Sequence, residues 1–143
     1  MTNIMENLQI RKFIKGTIIV KELDECNEVL FVIDGRYNVG YEVNKKVSYR
    51  KQFGSSTLIG GFQMWYKKRF IFVYKVHSDL MCYGLRRQEC YKIMSKFPDF
   101  HKIIKQKTLR HYFDNIYRPL MKSKNNDINE YEERNDYFQV LAT

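Results

Sequence analysis

Two hydrophobic periods, and the single place where one gives way to the other, predict a mainly β chain with C-terminal helices. The expected architecture is an antiparallel β-roll, a jelly-roll-like barrel, followed by two α-helices. Short apolar segments with a period of two, set apart by Gly, Asn or Asp, fill the first part of the 143-residue chain. After Arg87 the period lengthens to that of a helix. One core is expected, because 44% hydrophobic and 15% aromatic side chains over this length fill one core and not two.

Each strand has its own signal. Lys12–Lys21 (KFIKGTIIVK) places β-branched residues after Gly16, and Glu28–Ile33 (EVLFVI) is a short apolar strand that Asp34-Gly35 closes with a hairpin-type turn. Tyr37, Val39, Tyr41 and Val43 share one face, and Asn44-Lys45-Lys46 turns the chain before Val47. Further strands are expected at Thr57–Gly60, Phe70–Val76 and Leu80–Arg86. Several short strands at intervals of about ten residues suit an antiparallel barrel or sandwich. Beyond Arg87, Cys90, Ile93, Met94 and Phe97 fall at helical spacing. Pro98-Asp99 then opens a second helix whose apolar stripe is Phe100, Ile103, Ile104, Leu109, Tyr112, Phe113 and Ile116. Arg118-Pro119 is expected to end it, because proline disfavours α geometry in the residue before it. The resulting organisation is a lead-in over residues 1–11, a folded unit over 12–121, and a polar tail over 122–143 that orders only against a partner.

Composition excludes several classes. The longest apolar runs, Val29–Ile33 and Phe70–Tyr74, are far shorter than the ~20 residues of a membrane-spanning helix. Met1–Ile10 contains Glu6 and no apolar stretch of the secretory kind, so the chain is expected to remain cytosolic. Cys26, Cys82 and Cys90 are odd in number and widely spaced, which argues for reduced, partly buried thiols rather than disulfides or a zinc site. Net charge is +9 and unevenly placed. Lys122–Phe138 holds three basic and five acidic residues, against 22 basic and 11 acidic before it. A surplus of that kind suits nucleic acid, acidic lipid or an anionic ligand, and composition does not separate them.

Catalytic motifs are missing from the sequence. It contains no G-x-S-x-G, no phosphate-binding G-x-x-x-x-G-K and no dinucleotide fingerprint. His77, His101 and His111 have no second His, Cys or carboxylate at a metal-ligand spacing, so they read as surface residues. Trp65 reads as an aromatic packed against the roll. The chain is not expected to be an enzyme.

Particular segments carry a resemblance. Phe13-Ile14-Lys15-Gly16-Thr17-Ile18-Ile19 resembles the first strand of cyclic-nucleotide-binding domains, and Glu28-Val29-Leu30-Phe31-Val32-Ile33-Asp34-Gly35 resembles their "emyfI.eG" strand and turn. Leu80–Phe97 and the following Pro-Asp-Phe continue in the order of that superfamily, so the resemblance spans Ile10 to Pro119. Within it, Val39–Lys46, Ile59-Gly60-Gly61-Phe62, Lys68-Arg69, Phe72–Lys75 and Ile116–Leu120 are similar to the cytosolic C-terminal domains of potassium and other cation channels of single-celled eukaryotes. The resemblance implies a regulatory module, with cAMP or cGMP as the candidate ligand and a channel's transmembrane region and sibling subunits as partners.

The same resemblance implies a ligand site, and here the sequence departs from the pattern. Relatives hold the cyclic phosphate with an F-G-E turn and an R-x-A-T/S segment, the Glu taking the ribose hydroxyl; a glycine turn and a guanidinium suit an anion. The best register sets Ile59-Gly60-Gly61 on F-G-E and Arg69-Phe70-Ile71-Phe72 on R-x-A-T; Phe53-Gly54-Ser55 is a rival that needs an insertion. Gly60 and Arg69 match, Gly61 replaces the Glu, and Ile71 and Phe72 are expected to crowd the phosphate. Binding of cAMP and cGMP is therefore expected to be weak or absent. The tail, with Tyr137 or Phe138 of Tyr131–Leu141 as anchor, is a candidate to fill the cavity instead. The alternative function is a basic module that binds nucleic acid or an acidic surface, whose binding would fall steeply with salt.

Overall fold

A computed structural model describes the backbone of residues 7–142 and the side chains of residues 7–132. Six antiparallel strands come first: β1 (Gln9–Phe13), β2 (Ile18–Val20), β3 (Glu28–Val43), β4 (Lys46–Phe53), β5 (Leu58–Ile59) and β6 (Val73–Arg86). The sheet runs β1-β6-β3-β4, with β2 added to β6 and β5 to β3. A short helix, α1 (Gly61–Tyr66), interrupts the strands, and α2 (Arg87–Lys96) and α3 (Pro98–Tyr112) follow them. This is the expected roll followed by helices.

Fewer and longer strands form than the turn signals imply. Asp34-Gly35 does not close a hairpin but lies inside β3, where the pairing with β6 shifts register at Asp34 and again around Arg36. Gly35 makes the bend possible: its φ is +97°, and a Cβ there would sit 2.3 Å from the carbonyl oxygen of Asp79. Strand β6 bends opposite it, so the segments expected as separate strands over 70–76 and 80–86 join into one beginning at Val73. Two long bent strands paired along their length curl the sheet into a roll. Tyr37, Val39 and Tyr41 face inward as the alternation predicts, joined in the core by Val32, Phe70, Phe72, Val76, Leu80 and Cys82. All three cysteines are buried and unpaired.

The helical end departs further from expectation. Pro119 does not end the helix. A wide π turn over Phe113–Tyr117, with the Arg118 amide donating to the Phe113 carbonyl, places Pro119 in the first turn of α4 (Arg118–Ala142). In a first turn the missing N–H of proline costs least. Residues from 122 onward therefore continue a helix rather than form a polar tail. Its start is held by Leu120, fully buried, and by a polar latch. Tyr41 donates to the Asp127 carboxylate, the Ser123 hydroxyl lies 2.8 Å from Tyr41, and Arg50 Nη2 lies 3.0 Å from Asp127. The α3 stripe is also rotated from expectation: Tyr112 and Ile116 are buried, whereas Phe100 and Ile103 face outward.

Candidate functional site

The corner between β5 and α1 is built by glycine. Gly60 has φ +89°, and its carbonyl accepts the Met64 amide at 2.9 Å, closing the first turn of α1. A Cβ at Gly60 would lie 2.9 Å from Cys26 Sγ, so both the backbone angle and the close approach call for glycine. Gly61 is buried for a different reason: a Cβ there would meet Leu58 at 2.6 Å and Thr108 of α3 at 3.0 Å. The space beside Gly61 is thus taken by neighbouring side chains.

Beside this corner lies a cavity of about 250 Å³, lined by Thr57, Leu58, Gly60, Gly61, Phe62 and Gln63 on one side and by Tyr74, Lys107, His111 and Tyr112 on the other. It falls below the ~300–1,000 Å³ of ordinary small-molecule pockets. Aromatic packing narrows it. Phe62 stacks on Tyr112 with ring centres 4.1 Å apart, and Tyr37 stacks on Tyr74 at 6.0 Å while its hydroxyl pairs with Thr57 at 2.7 Å. Burial pushes the Tyr37 hydroxyl up to about 12 and raises those of Tyr74 and Tyr112 too, so all three stay neutral at physiological pH. Among the described residues, the basic side chains at the rim are Lys107 and His111.

Arg69 lies elsewhere. Its Nη1 donates to the Leu23 carbonyl at 3.0 Å and its Nη2 to Glu25 at 2.9 Å. It lines a second hollow with Lys67, Lys68, Arg87 and Tyr91. Gln63 of α1 lines both hollows, and Cys26, which lines the second, also touches Gly60 through its thiol, 3.4 Å from the Gly60 carbonyl. Ile71 is turned to the surface and Phe72 is buried in the core, and neither lines the cavity. Of the five residues marked by sequence, then, Gly60 and Gly61 line the cavity, Arg69 lines the second hollow, and Ile71 and Phe72 line neither.

Sequence reasoning missed most of the lining. Phe62 was visible as part of a glycine-rich segment and Tyr112 as part of a helical stripe, but nothing in the spacing shows that the two rings stack. The self-ligand expected from the tail is not in the cavity as far as residue 132, since α4 packs over β3 and β4. Tyr137 and Phe138 lie outside the described side chains.

No protein-family model matches the sequence, and neither does any curated protein. Solved structures do match in fold. The regulatory subunit of a cAMP-independent protein kinase A from Trypanosoma cruzi, bound to guanosine, superposes with a TM-score of 0.67 at 14% identity, over 87% of this chain and 42% of that one. This chain shares the fold of that regulatory subunit. A transcriptional regulator from Thermotoga maritima gives 0.64 at 15% identity, over 78% and 88% of the two chains. The regulatory domain of Toxoplasma gondii protein kinase A with cAMP gives 0.60 at 14% identity, over 75% and 40%. This chain therefore spans less than half the length of the two kinase regulatory chains. At these identities the likeness is one of fold.

Proposed function

We propose that residues 12–121 form a regulatory domain of the cyclic-nucleotide-binding type that binds cAMP and cGMP weakly or not at all, and that it serves as the cytosolic gating module of a potassium or cation channel. The observation that supports the first half is that Gly60 and Gly61 line a narrow aromatic cavity, while the Arg69 guanidinium is engaged by Leu23 and Glu25 and lines a different hollow. A cyclic phosphate entering that cavity would lack its guanidinium partner, and a ribose its carboxylate. Each missing partner of a buried ligand group costs about 1–3 kcal/mol, or roughly tenfold to a hundredfold in affinity. The trypanosomal structure is described as cAMP-independent and guanosine-bound, which supports a reading in which this fold works without a cyclic phosphate.

Regulation in this reading is a shift between two arrangements of roll and helices, biased by whatever occupies the cavity or by the protein's own contacts in its place. No helix among the described residues is long and apolar enough to cross a membrane, so the channel half requires pore segments elsewhere. It is supported by the channel-like wording of Val39–Lys46 and Ile59–Phe62 and tested by reading the transcript upstream of the Met1 codon. Pore segments in frame are the expected result, and an untranslated leader overturns it. Thermal denaturation tests the first half: saturating cAMP, cGMP and guanosine are compared. A ligand at a hundred times its Kd stabilises by about 2.7 kcal/mol. The cyclic nucleotides are expected to raise the melting temperature no more than guanosine does, and a clear rise with cAMP or cGMP alone overturns the reading.

A further inference from the structure

The α2–α3 corner presents an unusual combination. Phe97, Phe100 and Ile103 are 43%, 58% and 53% exposed, and they follow one another at three-residue spacing. Along α3, Phe100, Ile103, Lys107 and Arg110 fall within roughly a quarter of the helix circumference. They lie opposite the buried Tyr112 that faces the cavity. Large apolar side chains therefore occupy the solvent face of a helix whose inner face is already packed, which a soluble surface does not require.

Charge surrounds these knobs. Between Arg87 and Tyr112 there are seven Lys and Arg residues, with only Glu89 and Asp99 against them, so this corner holds a surplus of five of the chain's net +9. Lys96, Lys102, Lys107 and Arg110 are exposed among the knobs. A shallow hollow of about 440 Å³ beside Ile103 is lined by Lys107, Arg110 and His111, and its one acidic residue, Asp114, is neutralised by Arg118 at 3.3 Å.

We propose that this corner docks on an anionic bilayer surface, with Phe97, Phe100 and Ile103 entering the headgroup–acyl boundary and Lys96, Lys102, Lys107 and Arg110 meeting acidic headgroups. Charge complementarity selects the partner: a lysine-ringed apolar ridge matches an interface that is negative outside and apolar beneath. Nucleic acid fits less well, because aliphatic Ile103 at the centre of the ridge has no ring for a base to stack on. The docking does not depend on whether the chain belongs to a channel, and of its residues only Lys107 also lines the rim of the cavity.

Co-sedimentation with vesicles of equal parts phosphatidylcholine and phosphatidylserine tests it, with phosphatidylcholine vesicles as the reference. The full chain should bind the mixed vesicles and not the neutral ones, and binding should weaken as salt rises. Phe100→Ser or Ile103→Ser should each lower the partition coefficient by about tenfold, and Lys102→Gln and Arg110→Gln by about fivefold each. All four positions are exposed, so melting temperatures should stay at the wild-type value. Three results overturn the proposal: no retention of the wild-type chain on mixed vesicles; retention that Phe100→Ser leaves unchanged; or a Phe100→Ser effect that instead abolishes self-association or binding of a single-stranded oligonucleotide. The wild-type salt series needs no variant, so the proposal remains testable even if a substitution lowers expression.

Discussion

The two sides of α1 differ in chemistry although the residues that build them are close in sequence. On the Gly60 side the surroundings are aromatic and largely neutral, with the glycine corner pressed against Leu58, Thr108 and the Phe62–Tyr112 stack. On the Arg69 side they are basic and solvent-exposed, with guanidinium groups already bonded: Arg69 to Leu23 and Glu25, Arg87 to the Cys26 carbonyl at 2.7 Å. A phosphate site needs backbone amides and a guanidinium converging on one point. The lesson is that residues close in sequence line different hollows when a six-residue helix lies between them in the chain.

The largest expected effect is on the aromatic side. Tyr112→Ala removes a buried ring and its stack on Phe62, and should cost about 3–5 kcal/mol in urea denaturation. A loss below ~1 kcal/mol would show that the rings do not close the cavity. Gly61→Glu, which supplies the carboxylate of the relatives, comes next. It should cost about 1–3 kcal/mol through overpacking against Leu58 and Thr108, with no gain in cGMP affinity. Tolerance together with tighter nucleotide binding would break the comparison, because it would mean that the corner retains room for a ribose.

Asp127 sharpens the comparison from a third place, the α4 latch. Hydrogen bonds from Tyr41 and Arg50 hold its carboxyl below the usual range. A carboxyl depressed in the folded state stabilises above its unfolded value of ~3.9 and loses that contribution as pH falls through the folded one. Wild-type stability should therefore drop more than that of Asp127→Asn as pH is lowered from neutrality to below ~4, by about 1 kcal/mol. Equal acid sensitivity would show that the latch contributes nothing. Arg69→Ala is the smallest: its ion pair with Glu25 is solvent-exposed, so a loss within ~1 kcal/mol is expected. A much larger loss would mean that Arg69 has a structural task beyond the surface.

What the sequence made legible follows from the range of the interactions. Alternation over Tyr37–Tyr41 and the change of period at Arg87 are local patterns, and both the roll and its helices could be read from them. Asp34-Gly35 was misread because the same dipeptide serves a hairpin and a bulge, and only the pairing with β6 decides between them. Pro119 was misread because the π turn before it depends on packing by Ile116 and Leu120, which no local rule contains. Phe100 and Ile103 fit a helical stripe by spacing, yet Tyr112 and Ile116 won the core. For the site, glycine positions were legible because backbone demands are local. The direction of Arg69 was not, since Leu23 and Glu25, far back in the chain, set it.

Isothermal titration of the full chain with cAMP and cGMP tests the central claim most directly. With Gly60 lining the aromatic cavity and Arg69 bonded to Leu23 and Glu25 beside a different hollow, no dissociation constant below roughly ten micromolar is expected for either nucleotide, and Arg69→Ala should leave the titration unchanged. Binding tighter than that, abolished by Arg69→Ala, would contradict the account by showing that guanidinium and glycine corner meet on one phosphate.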